Sequence, residues 1–390
     1  MAIGYGADQP RTTYSDTNLA GRVIADAIQM ITPTDTPFLS KFPPGSANTK
    51  FRISPSGGSG KGTKIEWIED DLRATSGTMA STCASDSTTI TVADGSYYAV
   101  GDLIKIDSEF IWVSAITQST NTLTVTRNVA GTQATHASDA TITIVTNARL
   151  EGATTTYGPT TTVDQPYNYT QILEDGVYVT RTQQKLAQYG VSDELARQRD
   201  KKLLELWRAL EKALILENTD LRSAGSSTTA RFAGSLGAFI TTAGNYTTSA
   251  TTITKANIDD LSKDIYLDGG NPRLLMVHPQ TAARIRNLLD SSSFVRVSQE
   301  ENSLGMRLES IVTQYHELEM LPNRHMDYDY AWLLDPDYIG VYEFDPFTEY
   351  DVPMAADVAG ALRINGEFSL VVQHGLLAHG KVYTTLSTGL

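Results

Sequence analysis

"SDELARQRDKKLLELWRALEKALILE" runs from Ser192 to Glu217 without a glycine or proline. Leu203, Trp207, Leu210 and Leu214 fall at i, i+4, i+7 and i+11, one continuous apolar stripe on a helix. Arg199, Asp200, Lys201, Lys202 and Glu205 occupy the other faces. Ser192 reads as the N-cap, with Asp193 and Glu194 in the first turn, where the helix dipole favours carboxylates. At 1.5 Å per residue such a helix is roughly 35–40 Å long. Everything else is placed around this rod.

Upstream, "NLAGRVIADAIQMI" sets Leu19, Val23, Ala27, Met30 and Ile31 at helical spacing. "TPTDTPFLSKFPPG" (Thr32 to Gly45) then carries four prolines, which predict an extended, turning path with Phe38, Leu39 and Phe42 as anchors. Residues 46–72 are polar and glycine-rich with strand-like edges, "FRIS" (Phe51 to Ser54) and "KIEWIE" (Lys64 to Glu69), where Ile65 and Trp67 share a face. Between about Ser81 and Val145 short β-rich runs recur: "TTITV", "DLIKI", "EFIWVSAI", "TLTVT" and "ATITIV". Asp94-Gly95, Gly101-Asp102, Asn121 and Gly131 punctuate them, so a small all-β module is predicted. Polar, threonine-rich chain resumes after it, and the module reads as an insertion between two legs.

"YTQILEDGVYVTRTQQ" (Tyr169 to Gln184) is strand-like, and the Ser/Thr/Gly-rich stretch Ser223 to Thr254 reads as loops. An α/β block follows. Asn257 reads as the cap of "IDDLSKDIYLD", ended by Gly269-Gly270, and "RLLMV" (Arg273 to Val277) as a buried strand. Pro279 opens a helix with Ala282, Ile285, Leu288 and Leu289 on one face. "SIVTQYHELEML", "YAWLLD", "YIGVYEF" and "ALRINGEFSLVVQHGLLAHGKVYTTL" read as strands.

Composition narrows the function. The chain has 390 residues, 41% of them hydrophobic, enough for two or three modules with real cores. A net charge of -14 argues against sequence-specific nucleic-acid binding and against adsorption to an anionic membrane. A single cysteine, Cys83, permits no internal disulfide and suits a reducing cytoplasm. "STCASDS" offers it no basic neighbour, so it reads as a passive small residue. No secretory signal or membrane-spanning run is visible, and a soluble protein made in the cytoplasm is expected.

"SPSGGSGKGTKIEW" (Ser54 to Trp67) looks like a phosphate-cradling loop around Lys61. The motif's first glycine falls on Pro55, which has no N–H to offer, and strand alternation follows where a helix N-terminus is required. A flexible loop is the better reading, with nucleotide binding kept as an alternative. "HELEM" (His316 to Met320) has Met where a zinc protease needs its second histidine. His374 and His379 are wrongly spaced for one helical face, and Glu69-Asp70-Asp71, Asp327/Asp329 and Asp335/Asp337 do not fit a calcium loop. No nucleophile elbow occurs. The residues therefore indicate no catalytic site, no cofactor and no metal.

The order of parts resembles the major capsid proteins of tailed bacteriophages, the Hong Kong 97-like fold, an α+β class. "TPTDTPFLSKFP" is similar to that family's arm motif, "NYTQIL" (Asn168 to Leu173) to the return from its extended loop, and "LLELWRALEKALILEN" (Leu203 to Asn218) to its spine helix. "RLLMVHPQTAARI" (Arg273 to Ile285) resembles the strand–helix step of its axial domain, and "WLLDPDYIGVYEFDPFTEYDVP" with "GEFSLVVQHGLLAHG" its closing peripheral strands. The resemblance implies an N-terminal arm over 1–45, extended-loop legs at 46–80 and 146–168 and an inserted β module at 81–145. It further implies a peripheral domain at 169–254 with the spine helix at 192–217, an axial domain at 255–345, and closing peripheral strands at 346–390.

What the resemblance implies is a subunit that self-assembles, as hexamers and pentamers, into an icosahedral head enclosing phage DNA without sequence-specific contacts. Phe38, Leu39, Phe42, Lys61, Lys64 and Trp67 are the implied inter-subunit contacts, and Leu203, Trp207, Leu210 and Leu214 the core of the spine. The module departs from the minimal family pattern and is expected on the outer face. The arm motif begins too early for a fused assembly domain, which implies a separate scaffolding protein beside a portal and a decoration protein. Assembly is expected in the host cytoplasm. A tail or decoration component of a virion stays open as an alternative, as does an enzyme built around Lys61.

Overall fold

The computed structural model describes residues 32–45, 62–154, 158–186, 191, 193–217, 220–241, 245–249, 253–290, 310–352 and 358–384. The amphipathic stretch Leu19–Ile31, the "FRIS" edge, Lys61 and Ser192 lie outside them, as do the side chains of Leu288 and Leu289. The chain divides into two compact units, one of residues 1–67 with 167–390 and one of residues 68–166.

Among the described residues the first unit opens with a short helix where prolines predicted none. Pro37 sits in the first turn of α1 (Pro37–Lys41), where its missing N–H costs nothing. A short strand, β1 (Lys64–Glu66), follows with Ile65 and then Trp67 turned into the core.

The second unit is a β module larger than 81–145. Its strands are β2 (Ser76–Thr78), β3 (Thr89–Thr91), β4 (Asp102–Ile106), β5 (Glu109–Thr117), β6 (Thr122–Ala130) and β7 (Thr141–Asn147). They form one antiparallel sheet in the order β2-β7-β4-β5-β6-β3. The two outer strands then meet. Met79 pairs with Val92, and Ala80 N–H donates to Thr91 O (2.9 Å) while Ala93 N–H donates to Thr78 O (3.0 Å). The sheet is thereby closed into a small barrel, which removes the free edges of an open sheet. Alternation fills it: Met79, Ile90, Ile104, Ile106, Ile111, Val113, Leu123 and Ile142 are all buried in its interior. Gly131 is required at its turn, because with φ +89° a Cβ there would lie 2.2 Å from Ser108 O.

The first unit resumes with β8 (Tyr167–Tyr169), paired antiparallel to β1, and β9 (Gln171–Thr180). The end of the predicted strand turns instead into a short helix, α2 (Arg181–Lys185), capped by Thr180. The long helix is α3 (Glu194–Ile215). Its N-cap is Asp193, not Ser192: the Asp193 carboxylate accepts from Leu195 N (2.9 Å) and Ala196 N (3.4 Å). Its buried line is Leu206, Leu210, Leu214 and Ile215, with Leu203 and Trp207 half-buried beside it. Trp207 nonetheless packs edge-on against Phe347 at 4.8 Å.

The stretch read as loops buries α4 (Leu236–Phe239) and includes β10 (Asn245–Ser249). The next helix, α5 (Lys255–Leu267), is capped by Thr254, and Asn257 is its reciprocal partner at the third position of the helix. Then come β11 (Leu274–Val277), α6 (Pro279–Asp290), β12 (Ser310–Val312), β13 (Glu317–Pro322), β14 (Tyr330–Leu334), β15 (Ile339–Asp351), β16 (Val358–Val372) and β17 (Gly380–Thr384). "SIVTQYHELEML" is therefore two strands of a hairpin, since Thr313 N–H closes a turn on His316 O.

Among the described residues one sheet runs β10-β17-β14-β11-β13-β12 and another β15-β16-β9. Residues 380–384 thus leave the closing strands and pair with β14, while β15 begins inside the stretch read as axial. One core lies where α3, α4 and β15–β16 meet the arm; a second lies under α5 and α6. Among the described residues no helix is long and apolar enough to cross a membrane.

Candidate functional site

Two junctions tie the arm and the strands β1 and β8 to the first unit. The first fixes the arm. The opening N–H groups of a helix have no partners inside it. In α1 two of them are taken by one carboxylate of α3: Phe38 N–H donates to Glu211 Oε1 (2.8 Å) and Leu39 N–H to Oε2 (2.9 Å). Asn323 Nδ2 donates to the same Oε1 at 2.6 Å. Glu211 is fully buried, and desolvation pushes its carboxyl up despite these donors. Phe38 and Phe42 stack at 4.9 Å and enter the core with Leu39, Leu210 and Leu214. Arg324 pairs with Asp35 at 3.1 Å, and Lys41 with Glu319 at 2.5 Å.

The second junction fixes the root of the extension, β1 and β8. Asn168 is fully buried, and its amide is fully used. Nδ2 donates to Gly234 O (3.1 Å) and Leu370 O (2.6 Å), while Oδ1 accepts from Gly234 N (2.7 Å) and Tyr169 N (2.8 Å). Arg231 Nε donates to Thr170 O at 2.7 Å and its other end pairs with Glu367. Arg222 donates to Tyr167 O at 3.0 Å and lies over the Tyr167 ring.

These junctions reassign the expected contact residues. Phe38, Leu39, Phe42 and Trp67, expected to face a neighbour, are buried in the chain's own core, Trp67 against Phe239 at 5.6 Å. Lys64 is exposed but pairs with Glu66 and stands 4.5 Å from the Tyr167 ring centre. Lys61 lies outside the described residues, and the chain after it enters β1, not a helix. Of the spine residues, Leu210 and Leu214 are buried, and Leu203 and Trp207 half-buried.

Sequence reading missed Glu211, Asn168, Arg222, Arg231 and Asn323. Glu211 carried a signal: it lies four residues after Trp207 and three before Leu214, a charge inside the apolar face. Cys83 is buried with Arg127 Nη1 3.3 Å from its sulfur, a neighbour brought from 44 residues away. His316 Nδ1 meets Ser262 Oγ at 2.8 Å. His379 is fully buried; its Nδ1 accepts from Asp335 N–H (3.1 Å), its Nε2 faces Gln373 O (3.2 Å), and burial pulls its pKa down to about 3. No cluster of three or more His, Cys, Asp or Glu arranged to hold a metal occurs among the described residues.

In the barrel the buried Glu109 is gripped by Arg127, with Nε to Oε1 at 2.8 Å and Nη2 to Oε2 at 2.7 Å. His136 bridges Glu109 (3.1 Å) and Asp107 (2.8 Å). Arg127 holds the Glu109 carboxyl down at about 2.

An arm latched to a long helix, a paired extension and two sheets make this a Hong Kong 97-like capsid fold. Solved structures agree. One from Mycobacterium phage Adephagia is 11% identical and covers 98% of this chain and 100% of its own, with a TM-score of 0.51. The cyanophage A-1(L) capsid asymmetric unit is 10% identical over 96% of this chain and 99% of its own, also at 0.51. One from Microbacterium phage Oxtober96 is 12% identical, covers 96% and 99%, and has a TM-score of 0.50. The family is defined separately: the SU10 major capsid protein model matches residues 10–387, and the chain belongs to that family. It is a structural, shell-forming protein of the virion. No curated protein matches the sequence.

Proposed function

We propose that this subunit builds the icosahedral head that encloses the phage's double-stranded DNA, as hexamers and pentamers assembled in the host cytoplasm. It does so without catalysis of its own. The net charge of -14 supports enclosure of DNA without sequence-specific binding. A portal, a scaffolding protein and a decoration protein are its expected partners, and the barrel is expected on the outer face.

The observation that carries this reading is the state of the legs. Ile68, Leu72, Leu150 and Val163 are all exposed, and beyond the short β1–β8 pair the described leg residues outside the barrel sheet share one backbone bridge, Glu69 to Asp164. Such a segment buries too little to offset its own ordering. A neighbouring copy supplies the missing surface, and many modest contacts add up over a shell.

Electron micrographs of the purified protein, alone and with its scaffold, across salt and crowding, test this. Closed shells are expected. Tubes, fibres or trimers would assign it to a tail or decoration role, and persistent monomers would sink the proposal.

A further inference from the structure

The solvent side of α3 carries a small open pocket. Thr32, Pro33 and Thr34 of the arm root line it, together with Lys201, Leu204, Glu205 and Arg208 of the helix. Lys201, Leu204 and Arg208 fall at i, i+3 and i+7, so they share one face. Leu204 is exposed there; Lys201 stands 4.0 Å from Glu205, a loose pair, and Arg208 has no ion pair among the described residues. Lys212, exposed one turn further on, extends the basic face. Glu205 offsets one of these charges and also pairs with Lys202 at 3.0 Å, and among the described residues the hole keeps an apolar floor and a net positive rim.

Its complement lies on the legs. Leu72 is 95% exposed, the most exposed large apolar residue among those described. Asp70 and Asp71 precede it, both exposed. Arg73 does not neutralise them, because it pairs with Asp102 at 2.6 Å. Thr161 holds the tip in shape by donating to Asp71 O (2.9 Å) and approaching Asp70 (3.4 Å). The leg thus presents one bare leucine behind two carboxylates.

We propose that Leu72 of one copy seats in the Pro33–Leu204 pocket of a neighbouring copy, with Asp70 and Asp71 facing Lys201 and Arg208 of that copy. The partner is a second copy of this chain because the two surfaces match in both polarity and sign. They are different patches, so the contact is head-to-tail, the kind that builds rings when its rotation closes, and not a twofold pair. Opposite charge directs the approach, and the leucine fixes the register. The inference rests on the shell-subunit reading above.

The test uses assembled shells made from an equal mixture of unlabelled and nitrogen-15-labelled protein. A carbodiimide joins carboxylates to amines that touch, without a spacer. Cross-linked peptides joining residues 70–71 to Lys201 are expected, with mixed-isotope pairs that only an inter-copy link produces. Shells whose legs link to other lysines, or whose 70–71 to Lys201 peptides are never isotopically mixed, would overturn the pairing. Arg208→Asp should lower shell yield at least tenfold, and adding Asp71→Arg should restore most of it. An Arg208→Asp protein that assembles like wild type also overturns it. Wild-type protein that forms no shells at all instead defeats the shell-subunit reading itself.

Discussion

The carboxylate of Glu211 accepts the N–H of Phe38 at 2.8 Å across 173 positions of sequence. One buried side chain of the long helix therefore caps the helix of the arm. Glu211→Ala would orphan Phe38 N–H, Leu39 N–H and the Asn323 amide, at a cost of about 2–4 kcal/mol. Chemical denaturation should show that loss, and limited proteolysis should cut earlier near Asp35. The sign with pH follows from the raised native pKa. The group's contribution is complete below its ordinary value of 4.5 and is lost as pH rises through the raised one. The stability gap between wild type and Glu211→Gln should thus move against wild type as pH rises.

Asn168 predicts a different kind of failure. Asn168→Ala leaves the donors and carbonyls of Gly234, Tyr169 and Leu370 without partners and should cost about 2–4 kcal/mol. Asn168→Asp keeps the acceptor oxygen but turns a second oxygen toward two carbonyls, so it should cost at least as much. Melting curves of the two variants side by side decide this; an Asp variant as stable as wild type would contradict the amide's orientation.

The barrel should fold alone. Its sheet is closed and its core is its own, so residues 68–166 expressed separately should melt cooperatively. Glu109, held down at about 2, stabilises it above its ordinary 4.5, and that stability goes as pH falls through about 2. Removing the carboxylate strands Arg127 in the interior. Glu109→Ala should therefore cost about 3–5 kcal/mol by urea titration of the isolated barrel.

His379 sets a separate acid limit on the first unit. Its pKa falls from 6.5 to about 3 because burial penalises the charged ring. A depressed value means stability that is present above 6.5 and is lost as pH falls toward 3. His379→Gln should flatten stability across that window. An unchanged slope in pH-dependent denaturation would show that another group governs it.

How much of this could be read from the letters depended on the range of the interaction. Periodicity exposed α3 and the barrel strands, because a helix face and a strand face are local facts. Capping went wrong by one position where Ser192 and Asp193 stand side by side, and by three where Thr254 and Asn257 cap each other. The prolines of the arm said "no helix", but Pro37 sits where proline starts one. Phe38 and Phe42 were legible as anchors, but nothing local says whether an anchor enters its own chain or a neighbour's. Glu211 and Asn168 were invisible for the same reason. Their partners lie 66 to 202 positions away, except for Tyr169 beside Asn168. The barrel's closure, Met79 on Val92, is a pairing between strands that alternation within each strand does not report.

The bridge between Glu69 and Asp164 brings the two ends of the barrel's chain side by side. Opposed residues of antiparallel strands stand about 5 Å apart. Seen from the rest of the subunit, ninety-odd residues of barrel therefore present the same fitting as a two-residue turn. The barrel is a cassette: a domain whose own ends meet at that spacing should graft in its place with β1 and β8 still paired.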